Sequence, residues 1–328
     1  MRRPVTKVVI VATTQPSWLD PELATLTRER FSDAGWLFER KLDGERCLAF
    51  RSGDQVRLMT RNQKDDTSTY PEIAAALRAE GASDFIIDGE IVAFDGDQTR
   101  FGLLQQRLGV RSPSPALIEK VPAYYYVFDV LWAAGQDLRG RPLRERKATL
   151  AGLLSFTDPV RFTVHRDTDG EAYYQQACEH GWEGVIAKRA EAPYRAGRSR
   201  DWLKFKCESG QEFVIGGFTD PRGSRTGFGA LLLGYHDSDG NLVYAGKVGT
   251  GFSQQLLDNL TGTLTVLEQR ESPFQRGRAP KSAHWVRPSL VGEVGFSEWT
   301  TDGQLRHPRF QGLRDDKDPA EVVREVPS

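Results

Sequence analysis

The chain has 328 residues, 39% hydrophobic and 27% charged, with a formal net charge of −1. That length suits two domains with a sizeable core, so neither a disulfide framework nor a structural metal is required for stability. Near-neutral charge excludes a uniformly basic nucleic-acid coat, although Arg189, Arg195, Arg198, Arg200, Lys204 and Lys206 crowd one segment able to hold phosphates locally.

The first apolar run, Val8-Val9-Ile10-Val11-Ala12, is too short for a membrane span or a signal-peptide core and reads as a strand. A cytoplasmic protein with no membrane partner is therefore expected. Residues 19–30 open with Asp20-Pro21-Glu22 and read as a helix with an acidic start and Pro in its first turn. From Trp36 to Thr60 the pattern is strands, broken by a Ser52-Gly53-Asp54 turn. A helix follows from Pro71, ending before Gly81. Residues 85–94 and 124–132 read as buried strands, short and almost uncharged. Helices are expected from Pro142 and over 169–180, then short strands over 184–188 and 202–206. After residue 208 short strands recur with glycine turns, interrupted by one helix near 253–270, the texture of a small closed barrel. The domains read as 1–207 and 208–328. Cys47, Cys178 and Cys207 lie far apart with no CxxC pair, which argues against zinc and fits three free thiols in a reducing compartment.

The chemistry gathers on Lys41-x-Asp43-Gly44-x-Arg46. A lysine is a nucleophile only as the free amine, which nearby cations favour. Asp43 is expected to hold the lysine, and Gly44 to permit a tight turn. Alone this motif is weak. Downstream, Asp88-Gly89-Glu90 sits inside an apolar strand, where carboxylates are costly unless paired or facing a site. Glu183 leads into the apolar run Gly184-Val185-Ile186-Ala187 in the same way. Lys204 and Lys206, two apart on a strand, share a face and repel unless an anion lies between them; a triphosphate would serve.

In this order, ending with Arg314-Asp315-Asp316-Lys317, the motifs resemble those of the covalent nucleotidyltransferases: ATP-dependent DNA ligases, RNA ligases and capping enzymes. Gln105-Gln106-Arg107 and the 245–252 run resemble the ligase domain of bacterial end-joining ligases in particular. The resemblance covers nearly the whole chain. It implies an α+β fold: a nucleotidyltransferase (ATP-grasp-like) adenylation domain with antiparallel sheets and flanking helices, then a C-terminal OB-fold barrel. It implies that Lys41 is adenylated and that Glu39 lies at the adenine edge. Arg46 and Arg61 would lie near ribose and phosphates, and Glu90 would hold the ribose or a metal. Phe128 would stack on adenine, while Glu183 would bind metal. Lys188, Arg200, Lys204 and Lys206 would hold phosphates, and Arg314 and Lys317 would orient the pyrophosphate leaving group. Mg²⁺ or Mn²⁺ is the implied metal, nicked or broken double-stranded DNA the implied substrate, and Ku an implied partner of a monomeric enzyme. NAD⁺-dependent relatives add an upstream segment and a four-cysteine module; only 40 residues precede Lys41 and the cysteines do not cluster, so ATP is expected. An RNA ligase, a capping-type enzyme and a catalytically dead nucleic-acid-binding derivative stay open on the sequence.

Overall fold

The computed structural model describes residues 14–326 apart from 208, 222, 224, 225 and 281. The expected strand at residues 8–12 lies outside them. Two large sheets come from the described residues of 22–206, beside a two-stranded ribbon of Phe94–Asp95 and Gln98–Thr99. In the first, Glu22–Leu26, Gly197–Lys206, Gly184–Arg189, Trp36–Lys41 and His165–Asp167 lie side by side in that order. In the second the order is Val160–Phe162, Tyr124–Ala133, Asp84–Val92, Glu45–Ser52 and Gln55–Thr60. Helix Pro71–Ala79 buries Ile73, Ala74 and Leu77. These pack with Tyr125 and Val127 in the largest apolar cluster.

Residues 22–26 are a strand, not the expected helix. They pair in parallel with Gly197–Lys206. Glu22 is fully buried, and its carboxylate accepts from Ser199 Oγ at 2.6 Å and from the Arg195 amide at 2.9 Å. An acid that looks like a helix start is instead the satisfied anchor of an edge pairing, so tertiary context overrides the local signal. The other expected helices form at Leu143–Leu153, Gly170–Glu179 and Gln254–Val266.

A third, antiparallel sheet comes from residues 209–313, with Ser209–Phe218 at its centre between Leu231–His236 and the long strand His284–Phe296. Helix Gln254–Val266 closes its core with Leu257, Leu260 and Leu264. The fold is the mixed α+β one expected: a nucleotidyltransferase unit followed by an OB-fold. No described helix is long and apolar enough to cross a membrane.

The thiol expectation changes. Cys178, at the end of helix Gly170–Glu179, is bonded to Cys207 just past strand Gly197–Lys206; Cys47 is free and buried. The 29-residue separation hides a pairing that the packing of that helix on the first sheet creates, with Cα atoms 5.3 Å apart. Three free thiols therefore no longer argue for a reducing compartment.

Candidate active site

Strand register builds the floor of the cleft. Gly184 lies opposite both Lys41 and Lys206, Ile186 opposite both Glu39 and Lys204, and Lys188 opposite Trp202. Residues two apart share a face, so Glu39, Lys41, Lys188, Trp202, Lys204 and Lys206 all project to one side. All six line the same cavity, of about 210 Å³. The chain leaves this sheet at Lys41, crosses through Leu42-Asp43-Gly44, and enters the second sheet at Glu45. Gly44 has no left-handed backbone. It is required because a Cβ there would meet the Ile91 carbonyl oxygen at 2.2 Å. Asp43 does not tether Lys41 as expected: its carboxylate accepts from the Phe101 amide and its own amide donates to Thr99 Oγ1, both at 2.9 Å, pinning the crossing to the 99–101 turn.

Lys41 Nζ is 2.5 Å from Glu183 Oε1. Lys41 and Lys206 hold the Glu183 carboxylate below its ordinary range against the pull of burial, and its second oxygen is buried without a hydrogen-bond partner. The Asp88 and Glu90 puzzle resolves two ways. Asp88 is fully buried and takes a bidentate pair of 2.6 Å bonds from Arg46 plus the Tyr194 hydroxyl at 2.6 Å. Glu90 lines the cleft, and burial lifts its carboxyl to about 7 although Arg46 and Lys41 oppose the rise. Arg46 in turn lies over the Phe128 ring at 4.7 Å.

Glu39 is almost fully buried and holds two ammonium groups, Lys147 on Oε1 at 2.5 Å and Lys188 on Oε2 at 2.6 Å. These two lysines keep its carboxylate low despite burial. Lys188 is therefore not placed among the phosphate-type cations. It sits over Phe128 and Trp202, at 3.9 and 4.0 Å from the ring centroids. Burial lowers its pKa, with Lys147 adding to the effect against Glu39. Lys204 and Lys206 do lie together. Burial brings Lys204 down to about 8, whereas Glu325 and other carboxylates raise Lys206 against its burial.

The barrel closes the cleft. Arg314 is locked by two 2.8 Å bonds to Asp316, lies 4.3 Å over Phe101, and reaches the Gly44 carbonyl at 3.4 Å. Lys317 pairs with Glu212 at 3.1 Å. Arg61 also lines the cleft, but Arg200 does not; it is exposed, and Arg198, one residue pair back on the same strand, lines the wall instead. The sequence placed Arg198 only within the basic patch of residues 189–206 and missed Glu212, Glu293 and Lys147. Lys147 carries a positional signal only: it lies four residues after Leu143 and three before Leu150, on the face at helical spacing that the helix buries together with Arg146. Among the described residues no group of three or more His, Cys, Asp or Glu forms a metal cluster.

Fold and cleft together are those of the nucleotidyltransferase class, followed by an OB-fold. The model of the ATP dependent DNA ligase domain matches residues 21–206, and that of the ATP dependent DNA ligase C terminal region matches 224–317. The chain belongs to the ATP-dependent DNA ligase family. It is 40% identical over 324 residues to the multifunctional non-homologous end joining protein LigD of Pseudomonas aeruginosa, covering 96% of this chain and 38% of that protein. It is 38% identical over 316 residues to the multifunctional non-homologous end joining DNA repair protein LigD of Mycobacterium tuberculosis, covering 94% and 40%. The chain thus spans about two fifths of the length of these relatives. A solved structure of mycobacterial DNA ligase D complexed with ATP and MES is 35% identical, with a TM-score of 0.66 over 94% of this chain and 98% of that one.

Proposed function

We propose that this chain seals 3′-hydroxyl/5′-phosphate breaks in duplex DNA in three in-line displacements at phosphorus, with Lys41 as the nucleophile. The observation that carries the reading is the cleft itself: Lys41, Lys204 and Lys206 on one sheet face, Arg46 and Glu90 on the second sheet, and Arg314 and Lys317 from the barrel all meet there. First, Lys41 Nζ attacks the α-phosphorus of ATP and pyrophosphate leaves. Second, the DNA 5′-phosphate displaces the lysine. Third, the neighbouring 3′-hydroxyl displaces AMP. Such chemistry rests on positioning and charge neutralisation. Arg61, Lys204, Lys206 and Lys317 supply the cations for the polyphosphate. Phe128 supplies a stacking face, and Glu39 an acceptor for the adenine amino group. Lys147 and Lys188 position Glu39, each of whose oxygens keeps a lone pair beyond its ion pair.

The residues fit a divalent cation. Glu183 has an orphaned buried oxygen and Glu90 faces the same cleft, and a few hard oxygen donors completed by water and phosphate suit Mg²⁺ or Mn²⁺. Bound there, the ion would neutralise phosphate oxygens. The names of the curated relatives support end joining as the setting. Ku as partner and a monomeric state are parts of the same proposal, as is closure of the barrel over ATP. The test is label transfer from α-labelled ATP against GTP, followed by offering the adenylated protein nicked DNA against nicked RNA. Label from ATP moving onto nicked DNA supports the reading; preference for GTP or RNA would shift it to a capping-type enzyme or RNA ligase.

A further inference from the structure

All four cations assigned above to the ATP polyphosphate already hold carboxylates of this chain: Lys317 holds Glu212, and the other three hold carboxylates that follow Lys317 in the chain. Beyond Lys317, residues 318–326 turn back over the cleft as a strap. A short 3₁₀ turn at Pro319–Glu321 starts it, capped by the Asp318 carboxylate accepting from the Ala320 amide at 2.9 Å. Val322 is buried against Val214, Leu242 and Val291 of the barrel, and its carbonyl accepts from the His236 amide at 2.7 Å. Gln211, also buried, clamps the next turn: Nε2 donates to the Val323 carbonyl at 3.1 Å and Oε1 accepts from the Glu325 amide at 3.0 Å. So seated, the strap delivers Glu321 to Arg61 and Glu325 to Lys204, with Lys206 at 3.8 Å from the second Glu325 oxygen. Arg61 follows the second sheet and the two lysines belong to the first, so the strap ties both walls of the cleft together.

We propose that the strap is an internal mimic of the polyphosphate: its two carboxylates occupy the phosphate subsite of the empty enzyme, and ATP enters only by displacing them. The placement rests on the assignment of Arg61, Lys204 and Lys206 to the ATP phosphates. The logic is that of competition at shared cations. Cations buried without an anion are costly, so the strap neutralises them when the cleft is empty. A ligand that must displace a resident group binds with its intrinsic affinity reduced by the fraction of enzyme in which the site is free. The same competition acts after lysyl-AMP has formed. The strap returns to the cations as pyrophosphate leaves, and so opposes the reverse attack of pyrophosphate on the adenylated lysine.

The test is inorganic tripolyphosphate binding to the whole chain, measured by titration calorimetry, which needs no turnover. The Glu321→Gln/Glu325→Gln variant keeps the strap's seat and removes its charge. Val322→Ala keeps the charge and loosens the seat. Both are expected to tighten binding, by about tenfold and about threefold respectively. Unchanged or weaker binding in both variants would overturn the proposal. So would a gain confined to the Gln variant, since that shows charge alone and no gating by the strap. Formation of lysyl-AMP on the wild-type chain is scored separately, so failure of the ligase reading and failure of the strap give different results.

Discussion

Lys147 uses all three of its ammonium donors inside the protein: Glu39 Oε1 at 2.5 Å, the Thr163 carbonyl at 3.0 Å and the Phe128 carbonyl at 3.3 Å. It thereby fixes the acid at the proposed adenine edge relative to the ring proposed to stack on the base. Removing one partner of a buried pair costs about 3 kcal/mol or more. The Lys147→Met variant should lose about that in denaturant unfolding, and its KM for ATP in self-adenylation should rise about tenfold while sealing of pre-adenylated nicks changes little. Equal loss in both steps would make Lys147 merely structural. Glu90 gives a pH prediction of defined sign. Its carboxyl is raised from 4.5 to about 7 by burial. The folded state therefore binds its proton more tightly, a contribution to stability fully present below pH 4.5 and lost as pH rises to about 7. Urea unfolding of the wild type should weaken across that window by about 1–3 kcal/mol, and Glu90→Gln should flatten the slope. Residue identities such as these were only partly legible. Glu90 stood out as a carboxylate in an apolar strand; helical spacing puts Lys147, unlike exposed Arg144, on the face of Leu143 and Leu150, but only the structure shows that its ammonium pairs with Glu39.

Between elements, the decisive feature is how closely the Lys41 crossing passes the edge of strand Asp84–Val92. The Gly44 position leaves no space for a side chain, with the Ile91 carbonyl at 2.2 Å and a Val92 methyl at 2.7 Å from an added Cβ. Gly44→Ala should lower stability by about 3 kcal/mol through backbone displacement, read as a shifted midpoint in thermal unfolding, and should slow self-adenylation because Lys41 moves with the crossing. The strands themselves were legible, since period-two alternation in 36–60 and the apolar runs at 85–94 and 124–132 are strong local signals. Their register was not. The row Lys41, Gly184, Lys206 joins Lys41 to residues 143 and 165 positions further on, and nothing local encodes that alignment. For the same reason residues 22–26 read as a helix when a parallel partner 175 positions on makes them a strand, with Glu22 opposite Gly197.

On the scale of the whole molecule, the site exists only where two folding units meet. The motif order was legible from residue 41 to residue 317, and with it the class of fold. The disulfide was not, because it follows from a helix packing on the first sheet; the strap and the Glu212 and Glu293 carboxylates were not, because they acquire meaning only where the barrel meets the cleft. Glu293 shows how tight that arrangement is: burial, with Glu212 beside it, raises its carboxyl to about 7. The proposed closure assigns different steps to different residues. Lys317→Ala should slow self-adenylation about a hundredfold, the scale of losing one charge-stabilising donor, yet slow sealing of pre-adenylated nicks less than tenfold, as single-turnover assays of the two steps would show. The most direct measurement on the central claim is to incubate the chain with ATP and a divalent cation, digest it, and map the AMP adduct by mass spectrometry. The account predicts one acid-labile AMP on Lys41 and none on a Lys41→Ala variant; an adduct on another residue, or one that survives the substitution, would contradict it.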